Sequence, residues 1–160
     1  MFSIGDQIAH PLHGAGVIDG IEEQRINGVT RQYYLLRLPS GGMEDKDMIP
    51  VDNCEKIGIR PIIGPEEADE LLQELGDIEI DMTQNWNRRY RENMLRIKSG
   101  NLVEVARVIK GLMARDAEKG LSTGERKMLR IAKQILISEI VLAKGCEYEE
   151  VEQQINRALV

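Results

Sequence analysis

The sequence predicts an α+β protein of two domains, a small N-terminal β-barrel followed by an all-α helical bundle. Three observations carry this prediction. The first ~60 of the 160 residues break into short strand-like segments separated by Gly, Pro and Asn. From Pro65 onward the apolar spacing changes to the helical period. Helix-start signals then recur along the rest of the chain. The expected division is residues 1–62 and 63–160.

The elements follow in order. "QIAH", "AGVIDGIEEQRI", "TRQYYLLRL" and "MEDKDMIPV" read as strands. Asn27-Gly28 joins the second and third, because both residues tolerate the positive φ of a tight hairpin turn. In "RQYYLLRL", Tyr33, Leu35 and Arg37 alternate against Tyr34, Leu36 and Leu38, giving a strand with two distinct faces. Pro50 places the fourth strand at an edge or ends it. Pro65 suits the first position of a helix through "EEADELLQEL", whose early acids complement the helix dipole. Gly76 stops that helix and "DIEIDM" links to the next, about Thr83 to Ser99. Asn101 with Glu104 and Ser122 with Glu125 have capping-box spacing and open two further helices. In the second of these, Met128, Leu129, Ile131, Ala132, Ile135, Leu136 and Ile140 form a core face. "EYEEVEQQINRAL" supplies the last helix.

Composition narrows the function. Apolar residues at 42% suffice for a core, and no apolar run reaches the ~20 residues of a membrane helix. "MFSIGDQIAH" has Asp6 where a signal peptide carries positive charge, so a cytoplasmic protein is expected. Cys54 and Cys146 fall in no metal spacing and read as free thiols. The net charge of -6 hides a segregation. Residues 66–81 hold 8 acids and no cation, whereas residues 82–134 hold 13 cations against 5 acids. A basic block inside an acidic chain points to a polyanionic partner for that part.

"GAGVIDG" at 14–20 has glycines, but not the spacing or the following helix of a phosphate loop. Gly14 and Gly16 are expected to serve a tight turn or bulge. His10 and His13 lack the further ligands or nucleophile that a metal or catalytic site needs, and are expected to bond turn backbone. No catalytic set is found, and neither enzyme activity, a metal nor a cofactor is expected.

The one tryptophan, Trp86, stands at the start of "NWNRRYRENMLRIKSG" with Arg88, Arg89 and Arg91 beside it. Trp86, Tyr90, Met94 and Ile97 lie on one helical stripe. Tyr90, Met94 and Ile97 are expected in the core. Trp86, in the first turn, can project past the bundle. Arginines bind backbone phosphates, and an indole stacks on a base or wedges into an opened step. Lys119, Arg126, Lys127, Arg130 and Lys133 form a second cationic group near another helix start.

Over essentially its full length the chain resembles the CarD/CdnL family of bacterial transcription regulators. The opening "FSIGDQIAHPLHGAGVIDGIE", "QYYLLRL" and "MIPVDN" are similar to that family, as is the ordered series W-x-R-R-Y, S-G-N and E-K-G-L-S-x-G-E-R-K-M-L. It departs at His10, where tyrosine is usual, and in the acidity of "GGMEDKDMIP". The resemblance implies a Tudor- or SH3-like N-terminal domain that binds the RNA polymerase β subunit. It also implies a helical domain that contacts promoter DNA at the upstream edge of the bubble and stabilises the open complex. Trp86 would be the wedge, with Arg88, Arg89, Arg91, Arg126 and Lys127 as DNA contacts. For the polymerase, an exposed strand edge is expected around Tyr33 to Leu38 and Met48 to Val51, with Tyr33, Leu35, Arg37, Met48, Ile49 and Pro50 as contacts. A monomer is expected, nucleoid-associated through the polymerase, with the strand edge leaving domain swapping open. The alternative is an interaction adaptor of the transcription machinery without direct DNA contact.

Overall fold

In the computed structural model the described residues are 2–39, 44–52, 54–79 and 86–159; for residues 44–46, 55 and 86–88 the description is of the backbone alone. The strands β1 (Gln7–His10), β2 (Gly14–Ile26), β3 (Val29–Pro39), β4 (Glu44–Pro50) and β5 (Arg60–Pro61) form one antiparallel sheet in the order β4-β3-β2-β1-β5. The Asn27-Gly28 turn has positive φ at both residues, 53° and 79°, so the sequence signal and the hairpin agree. A short helix, α1 (Cys54–Ile57), stands between β4 and β5 and has no counterpart in the strand-only sequence reading. Ile8, Ile18, Tyr34, Leu36, Leu38, Ile49, Cys54 and Ile59 make the β core. The sheet curls enough for His13, in the β1–β2 turn, to reach Asp47 on β4, with Nδ1 3.2 Å from the carboxylate. A register shift at Ile18/Gly20 marks a bulge in β2.

The helices are α2 (Pro65–Glu74), α3 (Trp86–Lys98), α4 (Leu102–Lys119), α5 (Thr123–Lys144) and α6 (Tyr148–Leu159), with a 3-10 turn over Leu75–Asp77. Both expected N-caps are present. The Asn101 side chain accepts from the Val103 and Glu104 amides, and Ser122 with Glu125 makes a reciprocal capping box. The core faces of α4 and α5 interleave around Val105, Ile109, Leu112, Met128, Ala132, Leu136 and Ile140. The α+β, two-domain architecture thus follows the sequence.

α5 also packs against β1, β2 and β3, so one helix is shared by both halves. Gly14, at φ 90°, lies so close that an added Cβ would come within 2.5 Å of Ser138 Oγ. Ser138 Oγ accepts the Ala15 amide at 2.8 Å and donates to the Ile135 carbonyl. The glycine-rich "GAGVIDG" therefore lets a strand approach a helix, and its smallness serves domain packing.

Candidate functional site

At the β end, the register decides which residues meet solvent. Leu35 pairs with Met48 and Tyr33 with Pro50, so these side chains share the outward face with Arg37. Tyr34, Leu36 and Ile49 point the other way into the core. Two expectations change here. Ile49 is 1% exposed, so its side chain cannot reach a partner. β3 lies between β2 and β4, so on this side of the sheet the edge strand is β4, with β5 at the opposite edge, and the Tyr33–Leu38 stretch is already paired on both sides. The Val51 amide donates to the Gln32 carbonyl, and strand alternation turns the peptide groups of 45, 47 and 49 toward β3. Those of 44, 46, 48 and 50 face outward. Pro50 has no N–H to offer there, which leaves Glu44, Lys46 and Met48 as outward donors, with Lys46 and Met48 nearest the Pro50 break.

At the helical end, α3 loses burial toward its N terminus. Ile97 is 1% exposed, Met94 is half-buried against the core, and Tyr90 is 38% exposed. Tyr90 is therefore not the core residue expected from its spacing; the buried polar residue Asn93 takes that part of the face. Among the described side chains of α3, Asn93, Met94 and Ile97 supply the packing against the bundle, and Arg96 ties the helix to Glu104 of α4 at 3.3 Å. Arg91 is exposed and Arg89 half-exposed nearer the N terminus. The side chains of Trp86 and Arg88 lie outside the described residues; α3 begins at Trp86.

The second cationic group gathers at the start of α5. Arg126, Arg130 and Lys133, on one helix face, line a groove of ≈350 Å³ with Leu121, Leu129, Tyr148, Asp116 and Glu152. Arg126 and Lys127 are exposed. Burial raises the Tyr148 pKa, with Glu152 adding to it, so this phenol stays neutral in the groove. Glu125, beneath these cations, is buried and meets Arg115 at 2.6 Å.

Of the two histidines, His10 bonds turn backbone as expected, whereas the ring of His13 faces the Asp47 carboxylate instead. His10 Nδ1 accepts the Leu12 and His13 amides at 3.0 and 3.2 Å. Burial, with nearby His13 as a lesser cause, holds the His10 pKa down at about 4. The neutral ring is the form that keeps Nδ1 free to accept. Among the described residues no group of three or more His, Cys, Asp or Glu is arranged to hold a metal, and no helix is long and apolar enough to cross a membrane.

One residue group was not singled out in the sequence. Glu139, 1% exposed, accepts Arg60 Nη1 and Nη2 at 2.7 and 2.9 Å and the Ile63 amide at 3.0 Å. Its signal was available: one carboxylate within the apolar run "ILISEIVLA".

Comparison with known proteins adds the relatives. Residues 2–63 match the family description "CarD-like/TRCF RID domain" and residues 70–156 match "CarD, C-terminal domain". A Bacillus subtilis (strain 168) protein named "Putative transcription factor YdeB" is 36% identical over 152 residues, which is 95% of this chain and 98% of that protein.

Proposed function

The chain belongs to the CarD family of transcription regulators, with a Tudor-like β domain of the RNA-polymerase-binding type, and from this premise we propose that it docks on the polymerase β subunit and stabilises the promoter open complex. β4 supplies the docking edge. An added strand from the partner would bond to the outward peptide groups at Lys46 and Met48, with specificity from the face formed by Tyr33, Leu35, Arg37, Met48 and Pro50. The residues 1–62 would form the polymerase-binding part and 63–160 the DNA-contacting part.

The observation that carries the DNA half is the loss of burial along α3. Arg89 and Arg91 stand before the buried Asn93 and Ile97, and Trp86 begins the helix. Arg88 follows Trp86 in the sequence, and Arg126 and Lys127, exposed at the start of α5, offer a second group of cations. Phosphate contacts of this kind position a protein without reading sequence. The indole would favour the melted state by inserting where the strands part. A ligand shifts such an equilibrium only by its differential affinity for the two states. An effect of ~1–2 kcal/mol would change open-complex lifetime about 5- to 30-fold.

Trp86→Ala tests this. Open-complex lifetime on a promoter template should fall by about 5- to 30-fold, with binding to a purified β-subunit fragment unchanged. An unchanged lifetime with a folded variant would instead support an adaptor without DNA contact.

A further inference from the structure

We propose that Glu139 is a positioning residue that locks the two domains into one rigid body and so fixes the place of α3 relative to the β4 edge. Glu139 stands on α5, in the helical domain, but all its described hydrogen-bond partners are outside that helix: Arg60 on β5 and the Ile63 amide in the linker. The bidentate guanidinium sets an angle as well as a distance, because two parallel bonds resist rotation. Arg60 Nη2 also donates to the Gly100 carbonyl at 3.3 Å. Gly100 lies in the turn that follows α3. One buried carboxylate thus joins, through one arginine, the last strand of the β domain, the linker and the C-terminal end of α3.

On its inner side the lock has little slack: a gap of ≈10 Å³ is lined by His10, Pro11 and Gly58 of the β domain and by Ile97, Val105 and Ile135 of the bundle, at the lower bound of what one water occupies. On its outer side Arg60 and Ile63 border an open cleft of ≈470 Å³ shared with Glu67, Glu70 and Gly100. The Ala15–Ser138 hydrogen bond and the close approach of Gly14 fix α5 at a second point. Two separated points of attachment oppose both sliding and hinging. Polymerase docking at one end would then place the other end without a search over domain orientations, which raises its effective concentration at the DNA. This consequence rests on the function proposed above; the rigidity does not.

The test is ¹⁵N relaxation of the full chain. The wild type should tumble with one rotational correlation time for residues 7–39, 44–52 and 54–61 of the β domain and 65–79 and 86–159 of the bundle. The double variant Arg60→Gln/Glu139→Gln removes both charges and so buries no uncompensated charge, and urea denaturation of each variant confirms that the fold persists. The double variant should show two correlation times, retain binding to the β-subunit fragment, and shorten open-complex lifetime at least 5-fold. Arg60→Lys, which keeps one charge contact but not the fork, should fall between. Two correlation times in the wild type, or one in the double variant, would overturn the lock. If Trp86→Ala leaves the lifetime unchanged, the functional reading fails, while the relaxation result still judges the lock.

Discussion

His10 illustrates how one residue serves a turn at a thermodynamic cost. Its Nδ1 accepts two backbone amides, which protonation forbids, and burial holds its pKa down at about 4. A histidine in the unfolded chain titrates near 6.5. Between those values the unfolded state binds more protons, so stability is complete above ~6.5 and declines as pH falls toward 4, by roughly 1–3 kcal/mol. His10→Asn should flatten this slope, because an amide oxygen can accept the same two N–H groups without titrating. Urea denaturation at stepped pH, wild type against variant, measures the difference. The role of His10 was readable from its place before Pro11 in a turn; its depth was not, since burial depends on α3, α4 and α5 closing over the seam.

Among the elements, β4 and α3 separate what period predicts from what packing decides. The alternation in β3 correctly sorted Tyr33, Leu35 and Arg37 from Tyr34, Leu36 and Leu38. Pro50 placed the fourth strand at an edge, where β4 lies, but nothing in the alternation said that β3 is paired on both sides, because order across a sheet is set by pairing between segments far apart in the chain. Ile49, expected among the polymerase contacts, pairs with the core residue Tyr34 and is buried with it. β4 gives a direct test of the docking edge. Met48→Pro removes an outward N–H without removing a bond to β3, so the β domain should keep its fold. Affinity for the β-subunit fragment should drop about tenfold, as expected for ~1.4 kcal/mol. Met48→Leu should bind nearly as the wild type; isothermal titration distinguishes the two. In α3, the helical stripe was real at Met94 and Ile97, but Tyr90 is exposed and the polar Asn93 is buried in its place.

The whole molecule carries a charge of -6 and yet presents two cationic surfaces. Its affinity for free duplex DNA should therefore be weak and fall steeply with salt, since long-range repulsion opposes the local contacts. Docked on polymerase, the same surfaces act at high effective concentration, and open-complex stabilisation should persist at salt that abolishes free DNA binding. Fluorescence anisotropy with a promoter duplex, set beside open-complex lifetimes over the same salt series, checks this; equal salt dependence in both would count against tethering.

By itself the sequence determined the α+β class, the helix caps at Asn101 and Ser122, the hairpin at Asn27-Gly28 and the segregation of charge. These are local properties, written in period, capping chemistry and composition. Only the tertiary structure decided that β3 is paired on both sides, that Tyr90 is exposed while Ile97 is buried, and that Glu139 reaches across to Arg60 and Ile63. Arg60 and Glu139 stand 79 residues apart, and no local pattern encodes a contact made only when two domains close on each other.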